Sequence, residues 1–238
     1  MLLRRSVPVV LLGSAAIYLP IVILREALPP VAWESELGIP HATFVRLLAS
    51  LVLALAAFAA MASSGISWGD FGFRRSRGGW FRLAVGAVVL GILSTLLVKA
   101  IGGGGLDAAL AGARPVEIVL LLLVATCVEE FFVRGWIQGF LEPLRDRRIG
   151  IGDATISVPV ATGALAFGAM HLSLTRSAID AATIACVLAF TTLLGLLAGL
   201  ARERSGSLGP AIATHLAGNI GGVLGGIGYV IATQAVPT

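Results

Sequence analysis

Seven apolar runs, each long enough to cross a lipid bilayer, dominate the chain: Val7–Leu24, Phe44–Ala62, Leu83–Val98, Val116–Ile137, Val158–Leu174, Ala181–Leu200 and Pro210–Ala235. Within hydrocarbon the backbone must satisfy its own hydrogen bonds, so runs of this length read as α-helices. The expected fold is therefore all-α, a polytopic transmembrane helical bundle of about seven spans. Gly221-Gly222 and Gly225-Gly226 interrupt the last run and leave room for an eighth short segment. Composition agrees: 57% of the 238 residues are hydrophobic, only 13% are charged, and the mean hydropathy is +0.96, against about 25% charged in a soluble domain. The polar connections Arg25–Thr43 and Ser63–Arg82 are too short for a soluble domain. Residues 1–238 are expected to form one integral membrane domain, with its chemistry inside the membrane.

Lys and Arg accumulate on the cytoplasmic side of membrane proteins. With the N-terminus cytoplasmic, that side receives Arg4, Arg5, Arg74, Arg75, Arg77, Arg82, Arg145, Arg147, Arg148, Arg202 and Arg204. The opposite side receives Arg25, Arg46, Lys99, Arg114 and Arg176, and Arg134 is left in the membrane. This asymmetry predicts an N-inside, multi-pass protein of the plasma membrane, and the glycine-rich, short-loop style points to a bacterium. Arg4-Arg5 and the first run read as a retained signal anchor. A sequence pI near 9.8 is accounted for by loop arginines facing membrane lipid, so nucleic acid is not an expected partner. Trp68–Arg75 has the aromatic and basic composition of a headgroup-level turn, and Gly102–Gly105 reads as a flexible connection. In the last run Gly218, Gly222 and Gly226, and separately Gly221 and Gly225, recur every four residues, giving faces on which helices approach closely. Those faces serve packing within the chain or between subunits, so the oligomeric state stays open. Cys127 and Cys186 lie within runs and read as small packing residues rather than a disulfide or a nucleophile.

Only Glu129, Glu130, Arg134, His171 and His215 are ionisable groups well inside the runs. A charge near the bilayer centre costs about 2.5 to 3.5 kcal/mol on insertion scales, so such groups mark function by default. Glu130 and Arg134 are four residues apart and share a helix face, while Glu129 points about 100° away. One glutamate can thus pair with arginine while its neighbour keeps a different proton affinity, the separation that acid–base chemistry requires. A buried ion pair that fixes helix packing is the plainer alternative. His215 and Asn219, also four apart, offer donors to an oxyanion, and His171 adds a proton-transfer group from a third run. A single intramembrane histidine is more often a helix-bridging hydrogen bond; three polar motifs on three runs favour function. At 1.5 Å per residue, His171 lies about 20 Å along its run and His215 about 10 Å along its own, so the two are expected to differ in depth by a turn or two.

Glu129-Glu130-x-x-x-Arg134, Phe167-x-x-x-His171 and His215-x-x-x-Asn219, in this order, resemble the three motifs of the CPBP family, which comprises type II CAAX prenyl endopeptidases and bacterial relatives linked to bacteriocin processing or self-immunity. The resemblance covers about residues 115–224. It implies an intramembrane endopeptidase acting on a membrane-associated peptide or protein. Glu129 would activate water with His171 assisting, Glu130 and Arg134 would order the site, and His215 with Asn219 would stabilise the tetrahedral oxyanion. Zinc is a candidate cofactor, with Glu129, His171 and His215 as three ligands beside a water. The His-Glu-x-x-His signature is absent, and a glutamate base with a His/Asn oxyanion site needs no metal. The competing readings are a non-catalytic membrane binding or immunity protein and a proton-coupled transporter, for which the expected internal repeat is not evident.

Overall fold

The computed structural model describes residues 7–27, 41–103, 115–151, 154–176 and 179–234. Among them are seven α-helices: α1 (Val7–Ala27), α2 (His41–Ser63), α3 (Phe81–Ala100), α4 (Pro115–Glu130), α5 (Val158–Met170), α6 (Ala181–Ser205) and α7 (Leu208–Gln234). Each matches one apolar run of the sequence. Stretches within α2, α3, α6 and α7, namely Phe44–Ser63, Phe81–Ala100, Ala181–Ser205 and Leu208–Gln234, are long and apolar enough to cross a membrane. Shorter apolar helical stretches cover Val7–Ile23 and Val158–Ser173. The fold is all-α and that of a membrane protein. Most of the connection Arg25–Thr43, together with Arg4, Arg5, Gly104, Gly105 and Arg114, lies outside the described residues.

Two elements depart from the expected continuous helices. The fourth run leaves α-geometry after Glu130 and continues as a π-helix, Phe131–Gln138. A short antiparallel hairpin, β1 (Arg148–Ile151) and β2 (Ala154–Ser157), precedes α5, with Ile149 opposite Ile156 and Gly150 opposite Thr155. Its β-branched residues favour extended backbone, and Val158 N–H donates to the Arg147 carbonyl at 2.9 Å, leading the chain directly from the hairpin into α5.

The chain forms two compact units, Met1–Phe73 with Arg114–Pro159, and Arg74–Ala113 with Val160–Thr238. In the first, α1, α2, α4 and the π-helix pack together. The Ser67–Phe73 segment folds onto this unit, with Phe71 fully buried and Trp68 5.2 Å from Phe58 and 5.4 Å from Phe73.

The second unit is organised by glycine. A Cβ on Gly91 of α3 would strike the Gly218 carbonyl and stand 2.7 Å from Gly222 N of α7; one on Gly221 would strike the Val88 carbonyl; one on Gly225 would stand 2.9 Å from the Ile92 carbonyl. Contacts advance by four residues on both helices, from Val88–Gly221 to Ile92–Gly225, so α3 and α7 run parallel with their backbones in contact. The glycines therefore pack within the chain, and α7 is one continuous helix with no eighth segment. Gly218 leaves room for Leu194 of α6, whose Cδ1 would be 2.6 Å from an added Cβ. At the far end of α3, Gly103 fits against Thr183 at the start of α6 only because it lacks a side chain. At the near end, Arg202 is buried with 1% exposure.

Helix α6 begins with Asp180 as N-cap. Its carboxylate accepts from Thr183 N–H at 2.8 Å and from the Thr183 hydroxyl at 2.6 Å, and these bonds hold its pKa below the usual carboxylate range.

Two predictions follow from this packing. Gly221→Leu should overpack the α3–α7 contact and cost about 1–3 kcal/mol, lowering the thermal midpoint in detergent; Gly228→Ala, where no atom lies within 4 Å of an added Cβ, should leave it unchanged. Because the folded carboxyl of Asp180 titrates below its unfolded value, its stabilising contribution is present above the ordinary carboxylate pKa and is lost as pH falls through the folded value. Wild type should therefore lose its stability advantage over Asp180→Ala as pH drops through the acid range, measured by paired thermal melts across pH.

Candidate active site

The glutamate–arginine motif sits where α4 becomes the π-helix. A π-turn widens the backbone and is frequent at functional sites. Here it is held by specific neighbours: Phe132 stacks on Tyr18 of α1 at 6.3 Å, Phe131 meets the Phe73 edge at 5.7 Å, and Trp136 Nε1 donates to Ser14 Oγ at 3.3 Å. Gly139, just past the π-helix, lets the backbone of Phe71 approach, since a Cβ there would stand 2.9 Å from Phe71 Cα. Within this clamp Arg134 Nη1 lies 3.0 Å from Glu130 Oε1, and neither side chain has any exposed surface.

Of the two glutamates, Glu130 is therefore the arginine partner, as the spacing predicts. Glu129 is half-buried, so adjacent carboxylates occupy different environments. An open apolar groove of about 330 Å³ lies beside this motif, lined by Ala54, Leu55 and Phe58 of α2 and by Cys127, Val128 and Phe131. Cys127 is exposed and so is not the packing residue its place in an apolar run suggests: it lies on the α4 face that lines the groove.

The histidine motifs meet in the second unit. Helix α5 ends at Met170, and His171 opens a 3₁₀ turn, His171–Arg176, rather than lying inside a longer α-helix. Its ring packs edge-on against Phe167 at 5.1 Å, and the ring of His215, from α7, packs against the same phenyl at 5.0 Å. The two histidines thus flank one aromatic ring, which overturns the expected difference in depth. Gly195 of α6 makes space behind the phenyl, where a Cβ would stand 3.2 Å from Phe167 Cδ1.

His171 Nδ1 is 2.9 Å from the Phe167 carbonyl. A carbonyl oxygen only accepts, so Nδ1 carries the hydrogen and, in the neutral ring, Nε2 holds the lone pair. The ring is thereby oriented as a proton acceptor through Nε2. His215 is 3% exposed, and Asn219, one turn along α7, is half-buried.

The structure thus joins Glu130 to Arg134 in the first unit, and His171 to His215 through Phe167 in the second. Glu129 belongs to the first unit and Asn219 to the second. Phe167 was legible as part of a spacing but not as the shared wall between the histidines, and nothing in the sequence announced the π-helix. Among the described residues no group of three or more His, Cys, Asp or Glu side chains that could hold a metal ion occurs, and His171 Nδ1 is engaged by backbone.

The family model described as type II CAAX prenyl endopeptidase Rce1-like matches residues 112–221. This segment contains all three motifs. No curated protein and no solved structure matches the chain. The family carries the expectation of a CAAX-protease-type intramembrane endopeptidase acting on a membrane-associated peptide.

Breaking a buried ion pair strands the surviving charge. Arg134→Ala and Glu130→Ala should each cost about 3–5 kcal/mol, whereas the double variant Glu130→Leu/Arg134→Met should recover most of that loss. Denaturant titrations in micelles, followed by tryptophan fluorescence, would check the order; a double variant as unstable as the sum of the singles would contradict it.

Proposed function

We propose that the chain, whose residues 112–221 match the type II CAAX prenyl endopeptidase Rce1-like family model, is an intramembrane endopeptidase that hydrolyses a peptide bond using water activated by Glu129. The observation that carries this reading is the division of labour between adjacent carboxylates. Glu130 is locked to Arg134 with no exposed surface, while Glu129 is half-buried and follows Val128, which lines the apolar groove.

In the proposed reaction Glu129 takes a proton from water as the oxygen attacks the scissile carbonyl carbon. The resulting oxyanion is stabilised by donors from His215 and Asn219. His171, oriented through Nδ1, assists the proton transfer with Nε2. When the C–N bond breaks, the proton held at the site passes to the leaving nitrogen, giving a carboxylate and an amine. Glu130 and Arg134 touch no reacting atom in this scheme and position Glu129 by fixing the π-helix. No step requires a metal.

The substrate is a membrane-associated peptide or protein whose apolar portion suits the groove. A secreted peptide or membrane protein of a bacterial plasma membrane fits better than a prenylated protein. The chain would cross that membrane seven times with its N-terminus in the cytoplasm. The buried Glu130–Arg134 pair also favours a second reading, a non-catalytic binding or immunity protein that keeps the polar residues for packing, since such a pair would persist without catalysis.

Purified protein in liposomes, presented with a library of membrane-inserted peptides, should cleave a subset of them. Glu129→Gln should lower the rate about 10²–10⁴-fold, as loss of a general base does, and His215→Ala about 10²–10³-fold, as loss of an oxyanion donor does. A zinc chelator should leave the rate unchanged. Full activity in Glu129→Gln would sink the mechanism, and absence of cleavage by folded wild type would move the binding reading ahead.

A further inference from the structure

The α6–α7 turn in the second unit is crossed by a strap of chain, residues 74–82, that the proposed hydrolysis does not use. Its sequence, Arg74-Arg75-Ser76-Arg77-Gly78-Gly79-Trp80-Phe81-Arg82, holds four arginines, and no acidic residue occurs from Phe71 to Leu106. The strap is fastened in two places. Arg74 Nε donates to the Gly206 carbonyl at 2.7 Å, and Arg77 N–H donates to the Ser205 carbonyl at 2.8 Å. Gly206 makes the turn possible with φ of 73°. These bonds set Arg77 beside the last turn of α6, which carries exposed Arg204.

Arg74 is thus committed to structure, but the others are not. Arg75, Arg77, Arg82 and Arg204 are exposed, and among the described residues none of the four side chains makes an ion pair or hydrogen bond. Glu203, the acidic residue on that turn, is buried. Phe81, at the first position of α3, is 70% exposed and meets Trp80 edge-on at 6.4 Å. An exposed phenyl beside a tryptophan at the end of an apolar helix is the composition of a membrane–water interface. Because α3 and α7 run parallel and both are long enough to cross a membrane, the strap, the end of α6 and the start of α7 all lie at one end of the helices.

We propose that this pinned strap, through Arg75, Arg77, Arg82 and Arg204, is a binding site for the headgroups of anionic phospholipids in the leaflet at that end of the helices. The charge is complementary, the guanidiniums make bidentate phosphate contacts readily, and the two backbone anchors remove much of the entropy that a free loop would lose on binding. Neutral lipid would lack the net charge that the four arginines favour. The site is independent of the peptidase reading.

The test uses the full chain in nanodiscs of mixed phosphatidylglycerol and phosphatidylcholine, with retained lipid counted by native mass spectrometry. Phosphatidylglycerol should be enriched over its bulk fraction, on the order of tenfold, and the enrichment should fall toward unity as salt is raised to about 1 M, where screening acts over about 3 Å. Arg75→Gln/Arg77→Gln/Arg82→Gln should abolish it, and the corresponding triple lysine variant should keep most of it. Equal retention of the two lipids by wild type, or full enrichment in the glutamine variant, would overturn the proposal. Should the glutamine variant fail to fold, the salt series on wild type decides: enrichment that does not respond to salt refutes an electrostatic site.

Discussion

A carboxylate and a guanidinium 3.0 Å apart, neither with any exposed surface, impose a demand on everything around them. Each ion alone would be costly in an apolar helix, and their attraction offsets that cost only if the geometry is held and water is kept away. The clamp around the π-helix answers that demand. Tyr18 and Ser14 come from α1, and Phe73 and the Phe71 backbone from the segment after α2, so elements distant in sequence converge to fix eight residues of unusual backbone. In that sense the first unit holds a pair of charges inside an apolar core that includes Phe71, Phe132, Val133 and Ile137.

The second unit follows a different rule. Between lipid-exposed helices the hydrophobic effect gives no preference for protein over acyl chains, so association depends on close packing and polar contacts. Gly91, Gly218, Gly221 and Gly225 supply the closeness, bringing the α3 and α7 backbones together. The same approach fixes the rotation of α7. Gly218 and Gly221 face their neighbours, and His215, three residues before Gly218, is set against Phe167. Small residues thus determine where a large polar one points, although none of them carries chemistry.

Periodicity and hydropathy made the helices legible. All seven apolar runs appear as helices, and the four-residue spacing of Glu130 and Arg134 gave their pairing. Local patterns fail where backbone geometry changes class. Nothing in Phe131–Gln138 separates π from α, because the choice rests on contacts with Tyr18, Ser14 and Phe73 that only the fold supplies. The histidines show the same limit. Counting rise along a straight helix separated His171 from His215, but α5 stops at Met170 and the two rings share Phe167. Spacing along one helix is encoded locally, whereas placement between helices is not.

That distinction bears on how a membrane site can separate two carboxylates in adjacent positions. One residue of helical rotation is about 100°, enough to turn Glu130 into the clamp and leave Glu129 on a different side. No long-range device is needed to give the two acids different surroundings; the helix supplies it once Arg134 has taken one of them. The sequence neighbours of Glu129, namely Cys127, Val128 and Phe131, the last being the first residue of the π-helix, line an apolar groove. Structural charge and candidate catalytic charge are therefore coupled: the pair that stabilises the helix transition also fixes the rotation of the residue proposed to act on water.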